Sequence, residues 1–409
     1  MTTENGLKTK NRKFAHQSGC MEQQLSVLII SGWYPNRTNP TLGNFNEKFA
    51  QSTALFNKVD VIHVVADPEM NFPVEYIDQE GDGVHAHYVY FRKRKHESVV
   101  DKVIKKLKYF WYYHKAFRRL KMRNGHKPNL VHVHVLYPAG LFALFLKWIY
   151  GIPYVVTEHW TGYLQQSFVK QPLMVRWLSR LVSRSASILV PVTSNLQQAM
   201  MEQGFRNKYQ IVPNVVDARF FHPALSADTK KSVKRILHIS SLKDDHKNIR
   251  GILRVIKQLS LLRNDFELNI VGDGDASPHI QYSGELQIYG SFVHFHGEMS
   301  PLQIAEIMRE SDFFLLFSRY ENLPCVLVEA FASGLPVVSS NVGGIEEHLT
   351  PDKGMLVASE DETALYAALN TMLDTYATYD RQALHTYALA HFSYHEVGKK
   401  LDKLYRTIV

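Results

Sequence analysis

Two glutamates in the second half of the chain are spaced so that they could meet one ligand. Glu321 and Glu329 are separated by seven residues. The pattern predicts a strand that ends at Ser318, a loop, and a helix that Asn322 caps and Gly334 ends. This helix would place Glu329 among apolar neighbours, where a carboxylate is costly to bury unless hydrogen-bond donors meet it. The two hydroxyls of a ribose are suitable donors.

The start of the same helix is suited to a diphosphate. Glu321 lies at the carboxyl side of a predicted parallel strand, where open α/β sheets bind ligands. The backbone amides of Cys325 and Val326 are among those left free at the helix N-terminus, and the positive end of the helix dipole attracts anions. The segment therefore predicts a site for a nucleotide diphosphate.

The elements that would position these residues follow an α/β pattern. Apolar runs of strand length alternate with helix-period stretches along the chain, which is typical of parallel sheets covered by helices. The predicted strands of the first half are 26–31, 59–66, 87–92, 130–135, 154–159 and 188–193. Those of the second half are 235–241, 266–271, 293–296, 313–318, 336–340 and 355–358.

The predicted strands fall into two groups, and each group should form its own domain. A chain of 409 residues is too long for one ordinary core. We expect a disordered extension over 1–24, an N-terminal domain over 25–215, a linker over 216–232 and a C-terminal domain over 233–390. A last helix over 391–409 is expected to pack back on the N-terminal domain.

Composition excludes several classes of protein. With 45% hydrophobic and 21% charged residues, the chain is globular rather than fibrous or disordered. Cys20 and Cys325 are too few for a disulfide framework, and the polar start of the chain lacks the apolar core of a secretory signal. The most apolar stretch, 139–156, is divided by Lys147 and a turn at 151–153. We therefore expect a soluble, cytoplasmic protein.

The motifs resemble those of the family 4 retaining glycosyltransferases of bacterial polysaccharide type, which carry two glutamates with seven intervening residues. Further motifs of that family follow in the expected order at 270–274, 295–297, 343–347 and 354–357. The resemblance implies the GT-B fold, in which two Rossmann-like, doubly wound parallel-sheet domains face each other across a cleft. It makes the N-terminal domain the acceptor side and the C-terminal domain the side that binds a UDP- or GDP-sugar.

The resemblance also implies roles for single residues. Glu329 would bind the ribose hydroxyls of the donor, and Glu321 would face the donor sugar near its reacting carbon. The amides of Cys325 and Val326 would contact phosphate. His159 matches a histidine that contacts the donor sugar beside the reacting centre, although a structural role is the alternative reading of a lone strand histidine.

The family places a basic pair after the first strand of the C-terminal domain, where it neutralises the leaving diphosphate. Lys247 matches the lysine of this pair, whereas Ser241 stands where many members carry arginine. Lys243 could supply the missing charge, because an ammonium group on a flexible stem can reach a phosphate oxygen. The alternative is that Lys243 and Lys247 are solvated loop lysines.

In the N-terminal domain, Gly43 lies between the first strand and the following helix. A glycine there would let the backbone approach the donor phosphates or the acceptor.

The resemblance further implies that the acceptor hydroxyl attacks on the face from which the phosphate leaves, with that phosphate as base. Asp273 and Asp275 look like a metal-binding pair but fit the strand-end glycine loop of the family better. We therefore expect no metal and no cofactor besides the nucleotide-sugar co-substrate.

The positive charge of the chain is concentrated between residues 92 and 123, where thirteen lysines and arginines stand against two acidic residues. Apolar positions three and four apart predict an amphipathic helix with a cationic face. Such a face suits an anionic inner leaflet and a lipid-linked acceptor, because each nearby lysine or arginine contributes about 1 kcal/mol. A solvated helix face is the alternative. No nucleic-acid-binding motif accompanies the charge, so we expect no nucleic-acid partner.

The sequence favours a hexosyltransferase that acts on a glycan or lipid-linked acceptor in cell-surface polysaccharide synthesis, but two other classes stay open. A nucleotide-sugar epimerase or phosphorylase of the same fold would share the cleft without this acceptor. A catalytically silent sugar-nucleotide-binding scaffold would fit the altered basic pair.

Overall fold

The structure is a computed structural model that describes residues 23–93, 98–165, 167–224 and 233–409. These residues form two α/β domains, each around its own sheet. The predicted extension over 1–24 lies almost entirely outside the described residues, as do 225–232 of the predicted linker.

The N-terminal domain has seven strands in one sheet. They are β1 (Ser26–Ser31), β2 (Lys58–Asp67), β3 (Val74–Gly81), β4 (Val84–Arg92), β5 (Leu130–His134), β6 (Tyr154–Glu158) and β7 (Ile188–Pro191). The helices are α1 (Asn44–Ala54), α2 (Val99–Asn124), α3 (Ala139–Tyr150), α4 (Leu173–Ser185) and α5 (Ser194–Glu202). The strand order is β3-β4-β2-β1-β5-β6-β7, and its central strands are buried from end to end.

The helices of this domain cover both faces of the sheet. Crossovers between parallel strands are right-handed, so α1, which leads from β1 to β2, and α3, which leads the other way from β5 to β6, lie on opposite faces. The ring of Phe110 on α2 packs against Phe142 and Phe145 on α3 at 5.4 and 5.2 Å between centroids. Because α4 also packs on α3, the helices α2, α3 and α4 form one continuous face.

The sequence did not predict β3. This strand pairs antiparallel with β4 at the edge of the sheet, and none of its side chains is fully buried. An antiparallel edge strand can face water, so it lacks the continuous apolar run that marks a buried parallel strand. The N-terminal sheet is therefore mixed rather than wholly parallel.

The C-terminal domain has six parallel strands in the order β10-β9-β8-β11-β12-β13. They are β8 (Lys234–Ile239), β9 (Phe266–Val271), β10 (Val293–Phe295), β11 (Phe313–Leu316), β12 (Val337–Ser340) and β13 (Gly354–Val357). The helices are α6 (Asp244–Lys247), α7 (Ile249–Ser260), α8 (Ser277–Glu285), α9 (Pro301–Glu310), α10 (Cys325–Ala332), α11 (Glu362–Thr375), α12 (Arg381–Phe392) and α13 (Tyr394–Arg406).

The helix expected over 391–409 corresponds to α13, which follows directly after α12. Ser393 separates α12 from α13 with an extended backbone and caps α13 with its side chain. The helix α13 packs on α1 of the N-terminal domain. Ser52 Oγ donates to the Tyr394 carbonyl at 2.7 Å, and the Tyr405 hydroxyl lies 2.6 Å from His132 Nδ1. The last helix thus joins the two domains.

Candidate active site between the two domains

Glu321 forms a buried ion pair with Lys247. Glu321 lies in the loop after β11, and Lys247 ends the short helix α6 after the adjacent strand β8. Lys247 Nζ donates to Glu321 Oε1 at 2.5 Å, and Ser318 Oγ donates to the same oxygen at 2.7 Å. The two charged side chains are only 11% and 7% exposed. The lysine predicted to meet a phosphate is therefore held against the glutamate predicted to face the sugar.

Glu329 is paired across the domain interface. Lys48 on α1 donates through Nζ to Glu329 Oε1 on α10 at 2.6 Å. Burial alone would lower the pKa of Lys48, but the attraction and hydrogen bond of Glu329 outweigh this effect and raise the pKa above its ordinary value. The partner that the sequence requires for Glu329 is thus a lysine from the other domain, which sequence reasoning missed.

Cys325 and Val326 form the first turn of α10 between the two ion pairs. Backbone amides in a first turn have no partner within the helix, so they are available to an anion. Burial raises the pKa of the Cys325 thiol to about 12, which keeps it protonated. The cysteine is therefore suited to contribute its amide and not its sulfur.

The prediction that Asn322 caps α10 was wrong. Pro324 occupies the cap position with an extended backbone, and no side chain caps the helix. A residue before proline avoids the helical region, so Leu323 cannot start the helix and Asn322 lies too early to cap it. Instead, Asn322 Oδ1 accepts from Thr193 Oγ1 of the N-terminal domain at 2.8 Å. Asn322 thus fastens the loop between β11 and α10 to the opposite domain.

His159 lies just beyond β6 in an aromatic environment. The ring of Phe45, at the start of α1, is 4.6 Å from its ring centroid, and His134 Nδ1 lies 3.1 Å from His159 Nε2. Burial, with a smaller effect of His132, lowers the pKa of His159 to about 3. Because the imidazole is neutral at physiological pH, it can accept or donate one hydrogen bond but carries no charge toward a substrate.

Glu158, which the sequence did not single out, positions the loop that carries His159. Its carboxylate is completely buried and accepts backbone amides from Leu136, His159 and Trp160, each at 3.0 Å. Burial raises the pKa of Glu158 to about 7 in spite of these donors. In the sequence, only its position at the end of a strand, next to the candidate His159, could have identified Glu158 as a site residue.

Gly43 sets the start of α1. Its backbone is left-handed at φ 67°, and a Cβ added there would lie 2.3 Å from the Trp33 carbonyl oxygen. A side chain would therefore displace the helix that carries Phe45 to His159 and Lys48 to Glu329. Gly43 meets Trp33 in this structure, and its predicted contact with a ligand stays a prediction.

Lys243 and Lys247 differ in their exposure to solvent. Lys243 precedes α6 and is exposed, whereas Lys247 at the end of the same helix is buried. A cation that the sequence analysis left out, Arg319, lies in the loop after β11 and binds Glu360 Oε1 at 2.7 Å. Arg319 is thus held in place by an ion pair, whereas the side chain of Lys243 is exposed to solvent.

The loop after β9 is tightly packed. A Cβ on Gly272 would lie 1.7 Å from the Ser240 carbonyl oxygen, and Asp275 accepts the Ser277 amide at 2.9 Å. Within the described ranges, no three His, Cys, Asp or Glu side chains are grouped so that they could hold a metal ion. Independence from metal stays a prediction.

A cavity of about 500 Å³ opens where the domains meet, and Arg319 and Glu321 line it together with Tyr163 of the N-terminal domain. Beside it, the Glu347 carboxylate accepts the amides of Ser194 and Asn195 at 2.9 and 2.8 Å. These amides begin α5, so a carboxylate of one domain caps a helix of the other. Direct contacts between the domains therefore border the cavity that Glu321 lines.

Two family descriptions match the chain, one in each domain. Residues 53–215 match the family described as Glycosyl transferase 4-like domain, and residues 233–375 match Glycosyl transferases group 1. With two α/β domains whose sheets are parallel apart from the edge strand β3, the fold is GT-B. The chain belongs to family 4 of the glycosyltransferases.

Known relatives agree with this assignment. EpsF of Bacillus subtilis (strain 168), named as a glycosyltransferase, is 31% identical over 234 residues, which cover 54% of this chain and 60% of EpsF. TuaC of the same strain, named for teichuronic acid biosynthesis, is 22% identical over 382 residues, 84% of this chain and 88% of TuaC. The crystal structure of Anabaena HepE with UDP-glucose superposes with a TM-score of 0.70 at 15% identity, covering 94% of this chain and all of HepE. The chain thus spans less than two thirds of EpsF.

Proposed function

We propose that this chain is a retaining glycosyltransferase that moves a hexosyl group from a UDP- or GDP-sugar to a glycan or lipid-linked acceptor in cell-surface polysaccharide synthesis, without a metal ion. The observation that carries the proposal is the pair of buried ion pairs, Lys247–Glu321 and Lys48–Glu329, on either side of the first turn of α10. The names of TuaC and of the HepE complex with UDP-glucose support the polysaccharide setting and the UDP-sugar donor.

Donor binding would change the partners of both glutamates. The ribose hydroxyls donate to Glu329, which in the free protein accepts from Lys48 at 2.6 Å. The diphosphate takes up the free amides of Cys325 and Val326 and draws Lys247 away from Glu321. Each ion pair thus keeps a buried charge compensated until the donor supplies the replacement.

The reaction needs charge stabilisation at the leaving phosphate. The acceptor oxygen forms a bond to the anomeric carbon while the bond from that carbon to the phosphate oxygen breaks. The acceptor proton goes to the departing nucleoside diphosphate, so atoms and charge balance. Lys247 and the first turn of α10 stabilise the leaving phosphate, and Lys243 contributes as a second, exposed cation. Neutral His159 positions the donor sugar rather than acting as a charged acid.

A donor and acceptor screen tests this proposal. UDP- and GDP-hexoses are incubated with oligosaccharide and lipid-pyrophosphate acceptors, and products are followed by mass spectrometry, with the anomeric configuration assigned by NMR and with EDTA present in a parallel set. We expect a retained configuration and no loss with EDTA. An inverted product or an EDTA-sensitive rate would refute the corresponding part. Conversion of the donor to an epimer without acceptor would indicate an epimerase. Formation of a sugar phosphate when inorganic phosphate is added with the oligosaccharide would indicate a phosphorylase, and tight nucleotide binding without turnover would indicate a scaffold.

We also propose that the cationic helix within 92–123 holds the protein peripherally on the anionic inner face of the plasma membrane. Residues 94–97 of this stretch lie outside the described residues, and the remainder is mostly the helix α2. No helix among the described residues is long and apolar enough to span a bilayer. Sedimentation with vesicles tests the idea: binding only to vesicles with acidic lipid supports it, and equal binding to neutral vesicles refutes it.

A further inference from the structure

A second cavity, of about 370 Å³, lies at the carboxyl edge of the N-terminal sheet between α2 and α3. Six aromatic side chains line it: Trp33, Tyr109, Phe110, Tyr113, Tyr137 and Phe142. The only charged side chain in its described lining is Lys106. This cavity lies in the acceptor-side domain and is separate from the one that Glu321 lines.

The wall of this cavity is held rigidly. The rings of Phe110 and Tyr113 pack against Phe142 at 5.4 and 5.5 Å between centroids. The Tyr113 hydroxyl donates to the Ser31 carbonyl oxygen at 3.1 Å, so it is already used. A sugar would bring many hydroxyls into a space with few partners for them, and each unpaired hydroxyl is costly. A hydrocarbon chain suits such a lining better.

The cavity lies next to the reaction centre. His134 contributes to its wall, and His134 Nδ1 is 3.1 Å from His159 Nε2. Trp33, on another wall, accepts from Asn46 Nδ2 of α1 through its carbonyl oxygen at 2.6 Å. An acceptor whose tail filled the cavity would therefore have its head group close to His159, where the sugar is to be transferred.

The face formed by α2, α3 and α4 has the composition of a membrane-contacting surface. Trp111 on α2, Trp148 on α3 and Trp177 on α4 are each more than half exposed, and so are Leu107 and Met174 beside them. The three helices carry nine, one and three lysines or arginines against a single acidic residue. Exposed tryptophans among cations are typical of proteins that lie at a bilayer surface.

We propose that the cavity between α2 and α3 binds the hydrocarbon chain of a lipid-linked acceptor, with Lys106 beside the phosphate of that acceptor. The helices α2, α3 and α4 lie against the bilayer from which the chain enters. This inference rests on the proposed transferase function and adds to it the class of acceptor. Both an isoprenoid phosphate and an acyl phospholipid share the required chemistry of a hydrocarbon chain next to a phosphate.

Gly32 offers a way to fill the cavity without damaging the fold. It lines the cavity, and a Cβ added there meets no heavy atom within 4 Å. Gly32→Leu therefore places a side chain into open space at the site. Gly284→Leu, on α8 of the other domain and equally free of contacts, is the matched control.

Direct binding of small probes tests the inference without turnover. Farnesyl phosphate, geranyl phosphate, farnesol and dodecanoyl lysophosphatidic acid are titrated calorimetrically, each below its micelle concentration. We expect wild type to bind farnesyl phosphate at least tenfold more tightly than geranyl phosphate. Farnesyl phosphate is longer by one isoprene unit, and each buried methylene can increase the affinity up to about fourfold. Gly32→Leu should weaken this binding at least tenfold and Gly284→Leu less than twofold. Lys106→Gln should weaken the binding of farnesyl phosphate severalfold and leave the binding of farnesol, which has no phosphate, unchanged.

The outcomes separate this inference from the proposed function. UDP and GDP are titrated into every variant, and the affinity for the nucleotide that binds should be the same in all of them. If a nucleotide binds but farnesyl phosphate and lysophosphatidic acid do not, or if Gly32→Leu does not weaken them, the lipid site is refuted. The disaccharide chitobiose is titrated as a glycan probe. If chitobiose binds instead of the lipids and Gly32→Leu abolishes its binding, the cavity is a glycan subsite and the inference is wrong. If no nucleotide binds, the transferase proposal itself fails. The probe that binds more tightly, farnesyl phosphate or lysophosphatidic acid, shows whether the acceptor lipid is an isoprenoid phosphate or an acyl phospholipid.

Discussion

Lys48 of the N-terminal domain donates a hydrogen bond to Glu329 of the C-terminal domain, with 2.6 Å between Nζ and Oε1. The two residues are 281 positions apart in the chain, and the ion pair joins the helices α1 and α10 across the cleft. The carboxylate proposed to hold the donor ribose is thus occupied by a lysine until the donor arrives. The proposed role of Glu329 would therefore couple donor binding to the contact between the domains through one side chain.

Glu329→Gln should weaken binding of the donor nucleotide by roughly tenfold to a hundredfold, because a hydrogen bond to a charged group contributes about 1.5–3 kcal/mol. Glutamine keeps the shape of the side chain and avoids the larger loss of stability expected from alanine. Calorimetric titration with UDP and GDP measures the effect. Lys48→Gln is the informative partner variant, because it frees Glu329 and should leave the nucleotide affinity unchanged or higher. Equal weakening in both variants would contradict the proposed exchange.

Lys247→Gln should lower kcat by roughly a hundredfold to a thousandfold, the usual effect of removing one group that stabilises developing negative charge. Lys243→Gln, which changes the exposed lysine just before the same short helix, should lower kcat by less than about tenfold. Circular dichroism shows whether both variants are folded, and initial rates at saturating donor give kcat. A larger loss in Lys243→Gln would make Lys243, and not Lys247, the main phosphate ligand.

The sequence predicts well what depends on neighbouring residues. Apolar runs placed every strand except β3, and the motif placed Glu321 in the loop before α10 and Glu329 within that helix. The strand β3 escaped because an edge strand needs no buried run. The same local reading put the helix cap at Asn322, although the restriction before Pro324 delays the helix.

What depends on the tertiary fold could not be predicted. Lys48 looks like any lysine of an amphipathic helix, and only the packing of the domains brings it to Glu329. The contact between Asn322 and Thr193 spans 129 positions and has no sequence signal. Arg319 was overlooked for a similar reason, since its partner Glu360 lies beyond two further strands.

Acidification should destabilise the protein between pH 6.5 and 4 through its buried histidines. Burial lowers the pKa of His132 to about 3 and that of His63 to about 4, whereas unfolded histidines titrate near 6.5. The unfolded state therefore binds more protons below pH 6.5, so stability is full above that pH and falls toward pH 3. At pH 5 each such histidine lowers the free energy of unfolding by about 2 kcal/mol.

The variant His132→Gln tests this dependence. Glutamine can meet the Tyr405 and Thr157 hydroxyls that now lie 2.6 Å from the two ring nitrogens, and it does not titrate. Urea unfolding at pH 7 and pH 5 should show a loss of stability about 2 kcal/mol smaller in the variant than in wild type. His395→Gln, which changes an exposed histidine, should leave the loss as it is. An unchanged loss in His132→Gln would show that this histidine is not protonated on unfolding.

Glu158 should give the reaction a pH dependence that His159 cannot. Its pKa is raised to about 7 by burial, whereas the pKa of His159 is lowered to about 3. The ionised Glu158 carboxylate accepts the amides of Leu136, His159 and Trp160 and so fixes the loop at the cleft. We expect kcat/KM to rise through pH 7 in wild type, as Glu158 loses its proton. Glu158→Gln should be roughly tenfold slower at pH 8, because a neutral amide oxygen accepts these donors less strongly. Its profile should be flat between pH 6 and 8. An inflection near pH 7 that persists in this variant would assign the titration to another group.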